Sequence, residues 1–240
     1  MAETRRATVA GVDVVYSTPS WKGLGAGLRG VIFQHGHGAN AYQNAQGQAF
    51  AGHPEFWADR GHVVACISTP DTFDTAASMT TLTALHDWMV NTVGIAGPKI
   101  AVAGWSGGGG NVLRWLVENP TMVACGVLFN ALYDLDYAEA NLFTAEIDGL
   151  YGGTHATYLT QGAPRSPLAT ASSFRGGPKL LVAHSSDDPT IPYSQATGFV
   201  SAVNDPAVTL RAPVTGGHQG ALLNIPPRES WEFLRTNWAA

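Results

Sequence analysis

Short, almost wholly apolar runs alternate with longer segments of helical periodicity through most of this 240-residue chain. Runs that are apolar throughout are typical of parallel strands buried on both faces, and parallel strands need crossover helices between them. The alternation therefore predicts an α/β fold with a doubly wound, mostly parallel sheet. The predicted strands are 8–16, 30–35, 62–68, 99–105, 122–130, 179–184 and 208–214, and the predicted helices are 50–60, 76–93, 108–118, 194–204 and 227–237.

The composition is that of a globular protein, with 45% hydrophobic and 13% charged residues. This length fits a single domain spanning residues 1–240. The net charge of -5 offers no electrostatic attraction to nucleic acid or to an anionic membrane. No apolar run is long enough for a transmembrane helix, and no secretory signal follows Met1, so we expect a cytoplasmic protein. A secreted protein whose leader has been removed would have the same sequence features. The sequence contains no pattern that indicates the oligomeric state.

Residues 131–167, called the cap segment below, interrupt the alternation of strands and helices. Two predicted strands are separated here by far more than the usual few residues. We expect a small, mostly helical insertion that forms a cap or lid over the carboxyl edge of the sheet; a surface excursion without function stays open. The cap segment has no Lys or Arg before Arg165, and its acidic residues are Asp134, Asp136, Glu139, Glu146 and Asp148.

The pentapeptide Gly104-Trp105-Ser106-Gly107-Gly108 matches the pattern G-x-S-x-G, between a predicted strand and a predicted helix. In that context the serine lies on a sharp turn that exposes its hydroxyl at the carboxyl edge of the sheet. Ser106 is therefore the candidate nucleophile. A phosphate-binding loop is excluded, because Gly110-Asn111 stand where Lys and Ser/Thr are required.

A serine hydroxyl needs a base that accepts its proton, and the base needs a group that orients it. His218 lies in a glycine-rich loop after the last predicted strand, so it is the candidate base. Either Asp187 or Asp188, after the strand 179–184, is the candidate acid. The order Ser, Asp, His then agrees with one known arrangement of such triads.

An oxyanion needs backbone N–H groups aimed at it. Gly107, directly after the serine, is one candidate donor. The second is His37, in the loop His35-Gly36-His37-Gly38 after the strand 30–35. Trp105, before the nucleophile, and Tyr42, after the oxyanion loop, are candidate residues of the substrate pocket.

These motifs resemble those of the α/β-hydrolase superfamily, in the same order and over nearly the whole chain. The segment 184–192 looks like the superfamily's H-G-x-x-D-x-x-V-P motif, with Ser185 in place of glycine, and its register selects Asp188 over Asp187. The elbow resembles that of dienelactone-hydrolase-like and polyester-hydrolase-like esterases, whereas Ser166-Pro167-Leu168 is similar to prolyl-oligopeptidase-like domains. The resemblance implies a serine esterase or peptidase that needs no cofactor.

The leading expectation is a carboxylesterase that cleaves a neutral or weakly polar small-molecule or lipid-like ester through an acyl-enzyme on Ser106. The alternatives are a small serine peptidase, a lipase or cell-envelope esterase, and a non-catalytic binding protein of the same fold.

A metal site is not expected. His35 and His37 are spaced like zinc ligands, but Ala39-Asn40 replace the Asp and His that complete an H-x-H-x-D-H motif. The acids Asp134, Asp136 and Glu139 lack the rest of a calcium loop. Cys66 and Cys125 are expected to be buried in strands, and a disulfide would require those strands to be neighbours.

Overall fold

The computed structural model describes residues 2–21, 23–24, 27–42 and 51–238. Eight strands form one sheet in the order β1-β2-β4-β3-β5-β6-β7-β8. The pairs β1–β2 and β2–β4 are antiparallel, and every other pair is parallel. The strands are β1 (Ala2–Val9), β2 (Val12–Pro19), β3 (Arg29–Gln34), β4 (His62–Ile67), β5 (Ile100–Trp105), β6 (Val123–Phe129), β7 (Lys179–Ala183) and β8 (Val208–Leu210).

Helices cover both faces of this sheet. One face packs on α2, α3 and α7 through Leu82, Leu113 and Phe199, and the other packs on α1 and α9 through Trp57 and Leu234. The predicted doubly wound α/β architecture is thus confirmed. The helices are α1 (His53–Ala58), α2 (Ala76–Trp88), α3 (Gly107–Glu118), α4 (Leu135–Asn141), α5 (Thr144–Leu150), α6 (His155–Gln161), α7 (Tyr193–Val203), α8 (Gly220–Asn224) and α9 (Pro227–Asn237).

The first predicted strand, 8–16, is wrong: the chain forms the hairpin β1–β2 instead. Its turn is Ala10-Gly11, with φ of 51° and 80°. Positive φ at both central residues is what a type I′ hairpin turn requires, and it is normally met by Asn-Gly or Asp-Gly. Ala10 does not indicate such a turn, so the strand-like pattern of residues 8–16 continues across it without a break.

Two further boundaries differ from the prediction. The predicted helix 76–93 is α-helical to Trp88 and ends in a π-helical turn over Met89–Val93. The predicted strand 208–214 pairs only over Val208–Leu210, followed by an isolated bridge between Ser185 and Val214. The predicted helix 50–60 is described from residue 51 onward, and its helical part is α1.

The cap segment contains α4, α5 and α6, which share a hydrophobic cluster with Phe73 and Ile191. It begins one residue after the end of β6, whose last residue Phe129 pairs with Trp105 at the end of β5. The cap segment therefore leaves the sheet beside the residue that precedes Ser106. Its function as a lid remains a prediction.

The two cysteines are free and buried. Cys66 lies on β4 and Cys125 on β6, and β3 and β5 lie between those strands. No described helix is both long enough and apolar enough to cross a membrane.

Candidate active site

Ser106 lies between β5 and α3 with φ of 56° and ψ of -132°. A non-glycine residue at positive φ is strained, and such strain concentrates at functional sites. The tight turn is possible because the residues around Ser106 are glycines without a side chain. A Cβ on Gly108 would lie 2.0 Å from the backbone oxygen of His35. The glycines of the pentapeptide thus allow the approach of chain segments that exposes the serine.

The structure brings Ser106, His218 and Asp188 into one hydrogen-bonded chain. The Oγ of Ser106 lies 2.9 Å from Nε2 of His218. The Nδ1 of the same imidazole lies 2.9 Å from Oδ2 and 3.2 Å from Oδ1 of Asp188. These are the contacts that a nucleophile, a base and an orienting acid require.

Asp188 is buried in a set of hydrogen-bond donors. The amide Nδ2 of Asn130 donates to it over 2.8 Å, and the backbone N–H groups of Thr190 and Ile191 donate over 2.8 and 3.0 Å. Burial alone would raise the pKa of Asp188, but hydrogen bonds from His184, His218 and Ile191 outweigh it, so the pKa lies below the ordinary value. Asp188 is therefore a carboxylate at neutral pH.

Asn130 was not identified from the sequence. It follows β6 directly, is buried and has a φ of 44°. Its Nδ2 donates to Asp188, while its Oδ1 accepts the N–H of Ala221 over 3.0 Å. It links the acid to the start of α8, next to the turn that carries His218. The signal was available, because a polar residue directly after a buried parallel strand lies at the carboxyl edge.

Asp187 has a different role from Asp188. Its carboxylate is exposed and accepts the backbone N–H groups of Gly216 and Gly217 over 3.0 Å. Those hydrogen bonds lower the pKa of Asp187. Asp187 thus holds the backbone just before His218, whereas Asp188 contacts the imidazole ring.

His37 and Gly107, the two candidate oxyanion donors, both line a cavity beside Ser106. The His37 ring packs against the rings of Phe73 and Phe143, with centroid separations of 5.0 and 4.3 Å, and the two phenyl rings also contact each other at 5.3 Å. Its Nε2 is 3.5 Å from Oε2 of Glu146 in the cap segment. The side chain of His37 therefore contacts the cap segment, in addition to the predicted role of its backbone N–H as an oxyanion donor.

The cavity has a volume of about 180 Å³ and a predominantly apolar lining. Trp105 lines it, and its part in substrate binding stays a prediction. Tyr42, the other predicted pocket residue, does not line this cavity: the guanidinium carbon of Arg6 lies 4.4 Å from the centroid of its ring, which packs beside Val15 and Cys66. The other lining residues are Leu132, Leu142, Thr190, Ile191, His218 and the residues already named around Ser106 and His37.

The predicted absence of a zinc pair at His35 and His37 stays a prediction. The Nδ1 of His35 lies 2.9 Å from the backbone oxygen of Gly36, and burial lowers the pKa of this imidazole. Within the described part of the chain, neither histidine belongs to a group of three or more metal-ligating side chains.

The model of the prolyl oligopeptidase family matches residues 76–221. The chain belongs to this family. The matched range contains Ser106, Asp188 and His218 and excludes His37. Membership agrees with the predicted resemblance, and it places the chain among serine hydrolases.

Solved structures share the fold of this prolyl oligopeptidase family member. Acylaminoacyl peptidase of Pyrococcus horikoshii is 16% identical with a TM-score of 0.74, over 99% of this chain and 42% of that one. Est1E of Butyrivibrio proteoclasticus is 14% identical with a TM-score of 0.74, over 99% of both chains. The esterase Pf2001 of Pyrococcus furiosus is 17% identical with a TM-score of 0.70, over 100% and 94%.

These likenesses confirm the α/β-hydrolase fold. This chain spans less than half of the acylaminoacyl peptidase and nearly all of Est1E and of the esterase Pf2001. No curated protein matches the sequence.

Proposed function

We propose that this protein is a carboxylesterase that cleaves a neutral or weakly polar ester through an acyl-enzyme on Ser106. The observation that carries the proposal is the chain of hydrogen bonds from Asp188 through His218 to Ser106, which ends in an apolar cavity. The strained backbone at Ser106 and the charged state of Asp188 support it.

In the proposed reaction, the Oγ of Ser106 attacks the carbonyl carbon while Nε2 of His218 accepts its proton. Asp188 is already a carboxylate, so it stabilises the imidazolium that forms. The backbone N–H groups of His37 and Gly107 are proposed to bind the oxyanion. His218 then protonates the departing alcohol, and a water molecule repeats the sequence on the acyl-enzyme to release the acid.

The cavity supports a small, uncharged acyl group. Its volume of about 180 Å³ lies below the range of about 300–1,000 Å³ that is usual for sites of drug-sized ligands. None of its described lining residues is Asp, Glu, Lys or Arg. Phe73, Leu132 and Phe143 offer apolar surface instead, so a short aliphatic or aromatic acyl chain fits best.

Peptide hydrolysis is the second candidate, because the chain belongs to the prolyl oligopeptidase family and shares its fold with an acylaminoacyl peptidase. An amide is a harder substrate, since its nitrogen must be protonated before it leaves. We rank the ester first because the described cavity lining offers no charged group that would pair with a peptide terminus.

A paired substrate series tests the proposal. We expect turnover of p-nitrophenyl acetate and butyrate, less of the decanoate and little of the palmitate, and none of aminoacyl-p-nitroanilides. Ser106→Ala supplies the background rate for each compound. Turnover of the anilides alone would establish the peptidase instead, and a maximum at the palmitate would indicate a lipase.

A further inference from the structure

A cluster of side chains that can ligate a metal ion lies in the cap segment, apart from the proposed catalytic residues. Glu139 of α4, Asp148 of α5 and His155 of α6 each offer one ligand atom, and these atoms all lie within 4.8 Å of one another. The three residues are 9 and 7 positions apart in sequence, a spacing that matches no metal motif, so the sequence pattern does not reveal the cluster.

The shortest contact in the cluster joins Glu139 and His155. The Nδ1 of His155 lies 2.9 Å from Oε1 of Glu139. Two ligands of a tetrahedral zinc ion, each about 2.0–2.1 Å from it, are separated by about 3.3 Å. A metal ion therefore fits between these two atoms with a small outward movement, and a carboxylate oxygen of Asp148 lies within 4.8 Å of both.

The charges of the cluster are not balanced by protein cations. The side chain of Glu139 is 5% exposed, and its partner in the structure is His155. Neither Glu139 nor Asp148 forms an ion pair with a Lys or Arg among the described residues, and Arg165 pairs with Glu118 instead. Buried carboxylates are normally paired with a cation or bound to a metal, because their desolvation is costly.

Asp148 supplies an independent observation. Its Oδ1 is shielded from solvent and has no hydrogen-bond partner among the described residues. The side chain of Asp148 as a whole is half-buried, and a shielded polar atom without a protein partner is satisfied by a bound water or ion. The unpartnered oxygen belongs to the same carboxylate that lies beside Glu139 and His155.

We propose that Glu139, Asp148 and His155 form a binding site for a divalent transition metal ion, with Zn²⁺ as the best-suited ion. A set of one imidazole and two carboxylates favours zinc over calcium, which takes oxygen ligands. The side chain of His155 is 59% exposed, so a fourth position is open to water. The ion would join α4, α5 and α6, and so brace the helix that places Glu146 beside His37. This proposal does not depend on the proposed esterase activity.

The test is zinc binding to untagged, chelator-treated protein, measured by calorimetry and by thermal unfolding. We expect one Zn²⁺ per chain and a Tm that rises with zinc concentration, because an ion that binds the folded state stabilises it. The substitutions His155→Ala and Asp148→Asn should each weaken binding at least about tenfold, since loss of a residue that only supports a ligand already costs about 10- to 100-fold.

Two variants separate a metal site from a merely structural contact. His155→Gln retains an amide that can donate to Glu139, so it should keep the Tm of the chelated protein while losing the zinc response. Asp136→Asn removes the same charge from α4 outside the cluster, so it should bind zinc as the wild type does.

The proposal is overturned if zinc does not bind, if binding persists in both His155→Ala and Asp148→Asn, or if Ca²⁺ binds more tightly than Zn²⁺. Far-UV circular dichroism of each variant after chelator treatment checks that it is folded, so that a lost zinc response can be distinguished from unfolding.

Discussion

The indole Nε1 of Trp105 donates a hydrogen bond to the backbone oxygen of His218 over 3.1 Å. The residue before the proposed nucleophile thus holds the backbone of the proposed base, and its ring lies 5.3 Å from the imidazole. One hydrogen bond contributes about 0.5–1.5 kcal/mol. Trp105→Phe keeps most of the ring and removes the donor.

We therefore expect Trp105→Phe to lower kcat by about fivefold, with KM for a short ester nearly unchanged, since about 1 kcal/mol corresponds to that factor. Steady-state kinetics of the two proteins check this. A rise in KM at constant kcat would assign Trp105 to substrate binding alone.

The two neighbouring aspartates should respond differently to the same substitution. Asp188→Asn should lower kcat by about 10³- to 10⁴-fold, because an asparagine stabilises the wrong imidazole tautomer. Asp187→Asn keeps an oxygen that accepts the N–H groups of Gly216 and Gly217, so we expect a loss of less than about tenfold. Measured kcat values decide the matter: a greater loss in Asp187→Asn would reverse the assignment.

Glu146 should disfavour anionic substrates. Of the five acids of the cap segment it is the one that lies against His37, which lines the cavity, and its side chain is 49% exposed. We expect a neutral ester to be preferred over the same ester with a terminal carboxylate, with the preference shrinking at high salt.

Glu146→Gln should reduce that preference by up to about fivefold, as an exposed charge pair contributes about 0.2–1 kcal/mol. Asp136→Asn is the matched control, because Asp136 accepts a hydrogen bond from Tyr158 away from the cavity. The values of kcat/KM for both esters test this at low and high salt. A preference that is the same in Glu146→Gln, or independent of salt, would contradict it.

Asp74 should make the protein less stable as the pH rises. It is 1% exposed, and burial, aided by the charge of Asp71, raises its pKa well above 3.8. Because the folded pKa exceeds the unfolded one, the stability from protonated Asp74 is present below about pH 4 and is lost as pH rises through the folded pKa.

Asp74→Asn has the same shape without the charge, and asparagine tolerates the φ of 64° at this position. We expect the Tm of the variant minus that of the wild type to increase from pH 4 to pH 8. Asp13→Asn, at an exposed position of β2, should show no such trend. If the variant is equally destabilised at every pH, the contacts of Asp74 contribute to stability and the cost of burying its charge does not.

The parallel strands could be predicted because burial on both faces makes them apolar throughout, as in β5 and β6. The hairpin β1–β2 could not, because its turn places alanine at a positive φ that propensity assigns to other residues. Likewise the ring of Tyr42 turns toward Arg6, a contact between segments distant in sequence.

Ser106, Asp188 and His218 could be proposed from local motifs, because each lies in a loop at the carboxyl end of a strand. Asn130 and the cluster of Glu139, Asp148 and His155 depend on how separate elements pack. The sequence separations of these residues do not predict that they come together. The role of His37 as a contact to Glu146 was missed for the same reason.

Covalent labelling of Ser106 tests the central proposal most directly. The native protein is treated with a fluorophosphonate probe, and the modified peptide is identified by mass spectrometry. We expect one modification, on Ser106, none in Ser106→Ala, and a loss of ester hydrolysis in that variant by orders of magnitude. Labelling at another residue, or an Ser106→Ala variant that retains more than about a tenth of the wild-type activity, would contradict the account.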